Sequence, residues 1–204
     1  MSHPIVAALG DPNPRARIAA CRRAAVDPAA VLLLEALAAT FDDADARVAL
    51  AAADAFATIG RGSEAADDLL HRALRSPAAQ VRAVAALASL RRGPPAARLI
   101  PPLVSALASD APALRWRAVS GLVECAVTQA EVLPLLRGLA TSRDASPRVR
   151  EMAVHGLREA EADPESRADV LRLAARDRDP AVRRAATLAL AAAESRGTPD
   201  SRAG

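Results

Sequence analysis

The sequence predicts an all-α chain, a solenoid of about six helical hairpins over residues 1–195, with a tail over 196–204 expected to be disordered. Three observations predict it. The first is composition. Of 204 residues, 54 are Ala and 27 are Arg, with no Lys, no Tyr, one Trp and two Phe. Ala, Leu and Arg are the strongest helix formers, whereas a β-sandwich or barrel needs alternating Val, Ile, Thr and aromatic runs. The second is a repeat. An acidic or Ser residue, often a Pro, an apolar residue followed by Arg, and Ala four residues after the apolar one recur along the chain. The apolar anchors are Ala16, Val48, Val81, Leu114, Val149 and Val182, spaced by 32, 33, 33, 35 and 33 residues. Six units at a nearly fixed period are the signature of a repeat architecture. The third is punctuation: Asp or Ser precedes each anchor, with a Pro in five of the six units, and Gly follows several apolar stretches, as helix starts and stops require.

Taken in order, a short helix over 4–9 precedes the first anchored one. In each anchored helix Asp or Ser is placed to accept a bond from a free N–H group of the first turn. Pro12, Pro14, Pro77, Pro112, Pro147 and Pro180 sit where a missing N–H costs nothing. Apolar residues at 0, +4 and +8 share one face. The +4 residue is Ala in every unit (Ala20, Ala52, Ala85, Ala118, Ala153 and Ala186), so neighbouring helices are expected to approach closely there. Between the anchored helices a second set is predicted over 27–41, 63–75, 94–108, 129–140 and 163–176. Pro101, Pro102 and Pro134 fall inside this set and must kink these helices or set their start. Gly60, Gly93 and Gly197 read as C-terminal stops.

Charge and special residues narrow the function classes. The formal net charge is +3, and Arg and acids are balanced in both halves, so no basic tail or acidic block calls for nucleic acid or a membrane surface. No run of apolar residues is long enough to span a bilayer. The start Met-Ser-His-Pro lacks a signal peptide's basic segment, which points to the cytoplasm. Cys21 and Cys125 have neither CxxC spacing nor a nearby His, and read as buried thiols rather than a disulfide or metal site. His3, His71 and His155 are far apart, with no HExxH, G-x-S-x-G, GxxxxGK[ST] or GxGxxG motif. No catalytic residue, metal or cofactor is assigned.

The repeat unit resembles the HEAT-repeat family, in particular its bacterial short-repeat members. The resemblance rests on a first helix with Pro before a Leu-rich turn and a second helix of the form D-x-x-P-x-V-R-x-x-A, and it covers about residues 4–195. It implies a right-handed α-solenoid with the second helices on the inner, concave face. It also implies an Asp six residues before the Arg, the two stacking into a ladder between repeats. Asp11/Arg17, Asp144/Arg150 and Asp177/Arg183 keep that spacing. Arg82 and Arg115 face Ser76 and Ser109 instead, and the second repeat departs most, with Ala49 at the Arg position and Arg47 two residues earlier. These arginines read as structural, because they recur with the fold.

The candidate binding surface comes from positions +2, +6 and +9 of each anchored helix, which point away from 0, +4 and +8. Ile18, Leu50, Leu87, Leu90, Trp116 and Val123 would form an apolar strip there, and Glu151, His155, Arg158 and Arg184 a charged continuation. An exposed apolar strip of that size marks an interface, and Trp and Arg are the favoured hot spots. The expected function is a non-enzymatic interaction or scaffold module gripping a protein partner, with oligomers formed through uncapped solenoid ends. Two alternatives stand beside it. One is a HEAT-like DNA-lesion glycosylase or other nucleic-acid binder, for which phosphate contacts and stacking would rest on Arg and Trp116 alone. The other is a bilin-lyase-like subunit, for which no Tyr or His/Cys cluster marks a tetrapyrrole site.

Overall fold

The computed structural model describes residues 3–159 and 164–197. Of the tail expected to be disordered over 196–204, residues 196 and 197 belong to the last helix, which ends at Gly197; the rest, 198–204, and the start of the fifth intervening helix at Asp163 lie outside the described residues. Among the described residues the regular structure is helical throughout. The chain divides into two compact units, Met1–Ala118 and Val119–Gly204.

In the first unit α1 (Pro4–Leu9) and α2 (Pro14–Ala24) form the opening hairpin. Next come α3 (Leu34–Ala39), α4 (Ala46–Ile59), α5 (Glu64–Ala73), α6 (Ala79–Arg92), α7 (Ile100–Ala106) and the start of α8 (Pro112–Ala126). The second unit contains the end of α8, then α9 (Leu133–Thr141), α10 (Pro147–Glu159), α11 (Pro164–Ala174) and α12 (Pro180–Gly197). Three of the intervening helices are shorter than expected. Each opens with a 3-10 turn, over Ala30–Leu33, Ala97–Leu99 and Ala130–Val132, before α3, α7 and α9. Pro101, Pro102 and Pro134 fall in the first turns of α7 and α9, so they set a start and kink nothing. Gly60 and Gly93 close α4 and α6 by donating their N–H groups to Phe56 O and Ser89 O, and α12 runs through to Gly197.

The core follows the small-residue pattern. All six +4 alanines are fully buried. With no side chain beyond Cβ, they let α4 lie directly between α2 and α6, and α12 directly against α10. Phe41 and Phe56, the only Phe residues, meet edge to face at 5.5 Å beside α4.

The connections before the anchored helices follow one plan. Five residues before the anchor, the side chains of Asp11, Asp43, Ser76, Ser109 and Asp177 accept the N–H two residues on, an Asx- or Ser-turn. The helix is then capped three residues before the anchor, by Asn13 on α2, Asp45 on α4, Ser146 on α10 and Asp179 on α12. The expected capping residue is therefore often the turn former, and the cap sits two residues later.

The recurrent arginine binds this turn. Arg17, Arg82, Arg115 and Arg183 each donate to the carbonyl of the residue six earlier, and Arg150 to Ala145 O, five earlier. The carboxylate partner comes from the following repeat, not from the Asp six residues before. Arg17 makes a bidentate pair with Asp43 at 2.7 and 2.8 Å, and Arg150 one with Asp177 at 2.8 Å on both arms. The side chains of Asp11 and Asp144 carry no such pair; Asp11 spends its carboxylate on the Asn13 N–H, and Asp144 is exposed. Repeats one and two are thus joined by a full rung. In repeat two, where Ala49 replaces the arginine, Gln80 of α6 donates instead to the carbonyls of Phe41 and Asp43. Arg47 pairs locally with Asp45.

Arg150 is 2% exposed. Removing it strips the Asp177 carboxylate of both guanidinium donors, leaving the Asp179 N–H, and takes the donor from Ala145 O, so Arg150→Ala is expected to cost about 3 kcal/mol in urea unfolding. The Arg150 hydrogen bond holds the Asp177 carboxyl below its ordinary range. Burial pushes the Asp43 carboxyl up, and the Arg17 and Asp45 hydrogen bonds with the Arg17 charge outweigh it. Both groups ionise more readily folded than unfolded, so their contribution is complete above about pH 4 and is lost as pH falls further. Melting temperature should drop below that pH, and Arg17→Ala/Arg150→Ala should flatten the drop.

Candidate interaction surface

The expected apolar strip is largely consumed by packing. Leu50, Leu87 and Leu90 are 8%, 4% and 8% exposed. Leu50 lies on α4, which has α2 and α6 on its two sides, and Leu87 and Leu90 lie on α6, which packs against α4, α5 and α7, so these positions face other helices instead of water. Ile18, Trp116 and Val123 are half-buried. Val123 is committed to the core of the second unit: a Cβ built on Gly156 of α10 would lie 2.6 Å from Val123 Cγ2 and 2.9 Å from Leu136 Cδ1. In the first unit the +6 residue of α4, Asp54, is the centre of a polar network. The Asp54 carboxylate on α4 forms an ion pair with Arg91 of α6 at 3.0 Å and accepts a hydrogen bond from Arg117 of α8 at 3.2 Å.

The charged continuation is accessible in the second unit. Glu151, His155 and Arg158 lie half-buried along α10. On α12, which packs against α10, Arg184 is exposed and Leu188 is 56% exposed. On α12 the +2 and +6 positions face solvent, while the row on α10 is half-buried.

Two clefts lie elsewhere, each of about 440 Å³. The one in the first unit runs beside the Gly93-Pro94-Pro95 connection. Arg92 on its wall donates to Gly60 O, Ser63 O and Asp67, while its Nε is buried without a partner. The one in the second unit is lined by Arg143, Arg150, Arg176 and Arg178, with Asp177 and Leu173. Helical periodicity misses this second group because three of the arginines stand in the connections. Their signal is positional: Arg143 and Arg176 lie six residues before their anchors and Arg178 four.

Cys21 and Cys125 are buried free thiols, and burial pushes each up to about 11. Among the described residues no three His, Cys, Asp or Glu side chains gather as a metal-holding group, and no helix is long and apolar enough to cross a membrane.

Stacked hairpins of this kind, with an arginine holding the connection in every repeat but the second, define an α-solenoid repeat protein. A family model for HEAT repeats matches residues 70–158 and again residues 100–191, more than half of the chain, and the chain belongs to the HEAT-repeat family. No curated protein matches it. Among solved structures, one engineered protein is 22% identical over 94% of this chain and 95% of its own, with a TM-score of 0.52. A second engineered protein is 20% identical over 94% and 97%, with a TM-score of 0.50. A designed armadillo repeat protein is 21% identical over 93% and 98%, also at 0.50. At such identities the likeness is one of fold.

Two measurements check this geometry. Gly156→Ala gains about 1 kcal/mol of helix propensity, but its Cβ must displace the stiff Val123 side chain. A net loss of about 1–2 kcal/mol in thermal or urea unfolding is expected. Iodoacetamide at pH 8 should label Cys21 and Cys125 far more slowly in the native chain than in urea.

Proposed function

We propose that the chain is a non-enzymatic interaction module that holds a protein partner on the second-helix face, with α10 and α12 as the contact. The observation that carries this reading is the exposed pair Arg184 and Leu188 on α12, beside Glu151, His155 and Arg158. An accessible aliphatic side chain next to an unhindered guanidinium, rimmed by polar groups, has the composition of a protein-binding patch. Membership of a repeat family built to display extended surfaces supports it. Two buried cysteines that form no disulfide with each other suit a reducing compartment such as the cytoplasm.

The test is affinity capture from the source cell with the wild-type chain and with Arg184→Glu, Leu188→Ser and the first-unit control Arg61→Glu. Proteins retained by wild type and control should fall by at least about tenfold with the two α12 variants, as loss of a hot spot implies, while helical circular dichroism is unchanged. An identical captured set for all four chains would overturn the assignment of this face.

A further inference from the structure

In the arginine-lined cleft of the second unit, Arg150 and Asp177 serve the fold, and three further arginines do not. Arg143, Arg176 and Arg178 line it together and are exposed, and none of the three donates a side-chain hydrogen bond or ion pair among the described residues. The nearby carboxylates are engaged elsewhere or do not line it, and the single Asp177 charge, which also acts on Arg178, is set against four arginines. Asp177 gives both oxygens to Arg150, Asp179 caps α12, and Asp144, exposed, does not line the cleft. The cleft therefore holds uncompensated positive charge. The repeat does not demand it. Six residues before the anchor, the other units carry Gly10, Asp42, Arg75 and Ala108, and four before, Pro12, Ala44, Pro77, Asp110 and Ala145. Leu173 on the wall is 61% exposed, so an apolar foothold adjoins the guanidiniums.

We propose that this cleft docks an acidic segment of a partner protein. Two or three Asp or Glu carboxylates meet Arg143, Arg176 and Arg178, and an aliphatic side chain rests on Leu173. Guanidinium forks match carboxylates in bidentate geometry, and like charges crowded in one cleft are relieved when the counter-charge arrives. A peptide fits better than a nucleic acid. The charge is confined to one cleft instead of running as a track, and the walls offer Leu and Ala where base stacking needs a ring. This site lies on the connections and is separate from the α10–α12 face.

Fluorescence anisotropy of the full chain tests it, with a labelled eight-residue peptide of alternating Glu and Leu, its Gln-for-Glu counterpart and an eight-nucleotide single-stranded DNA. The Glu peptide should bind in low salt, weaken as salt rises, and bind at least about tenfold more tightly than the Gln peptide. Arg143→Gln/Arg176→Gln/Arg178→Gln should lose about tenfold, three exposed ion pairs' worth. Arg15→Gln/Arg61→Gln/Arg75→Gln should bind as wild type, and so should Leu188→Ser, which separates this site from the α12 face. Hydrogen exchange on the unmutated chain should slow at 140–143 and 173–178 when the Glu peptide is added. Equal binding by the cleft triple variant, no slowing at those segments, or tighter binding of the DNA than of the Glu peptide would each overturn the proposal.

Discussion

Close approach of the second helices through alanine is the constraint on which the other features rest. Each anchored helix has Ala at the fourth position after its anchor, and each of these alanines is fully buried. A larger side chain there would push neighbouring backbones apart, and the contacts on either side would be lost together. The same closeness reappears at Gly156, where there is no room for a Cβ between Val123 and Leu136. Ala-rich helices have little side-chain volume with which to fill gaps, so they reach native density by moving together.

Helices this close need their connections held in place, and the arginine clamp does that. One guanidinium takes a turn carbonyl from its own repeat and, where the next repeat offers Asp, both oxygens of that carboxylate. Five fixed N–H donors allow this double duty; a lysine ammonium has no fork to divide between two loops. Repeat two shows that the carbonyls matter as well as the charge. It lacks the arginine, and the amide of Gln80 supplies donors to Phe41 and Asp43 from the following repeat.

Close packing also moves the accessible chemistry. A second helix with neighbours on both sides, such as α4, turns its aliphatic residues into core. What stays accessible lies on α12, along the polar network of Asp54, Arg91 and Arg117, and in the connections, where side chains are not needed for packing. The balanced composition conceals this distribution. A net charge of +3 over the chain coexists with a cleft whose arginines outnumber its one carboxylate.

The repeat, the positions of the anchored helices, the stops at Gly60 and Gly93 and the buried alanines were legible in the sequence, because each follows from contacts within one or two turns of helix and recurs six times. The capping positions were legible only to within two residues, since Asp and Ser serve turns and caps equally well. Exposure was not legible. Leu50 and Leu87 occupy the same kind of position as Leu188, yet two are buried and one is open, because the number of neighbouring helices differs and spacing along one helix cannot count them. The partner of each clamp arginine was hidden for a related reason. Asp11 and Asp43 stand at the same place in successive turns, and Arg17 takes the backbone of the first and the carboxylate of the second. A separation of six residues names the turn an arginine must hold, but the carboxylate it pairs with depends on which loop the stacked neighbour brings within reach.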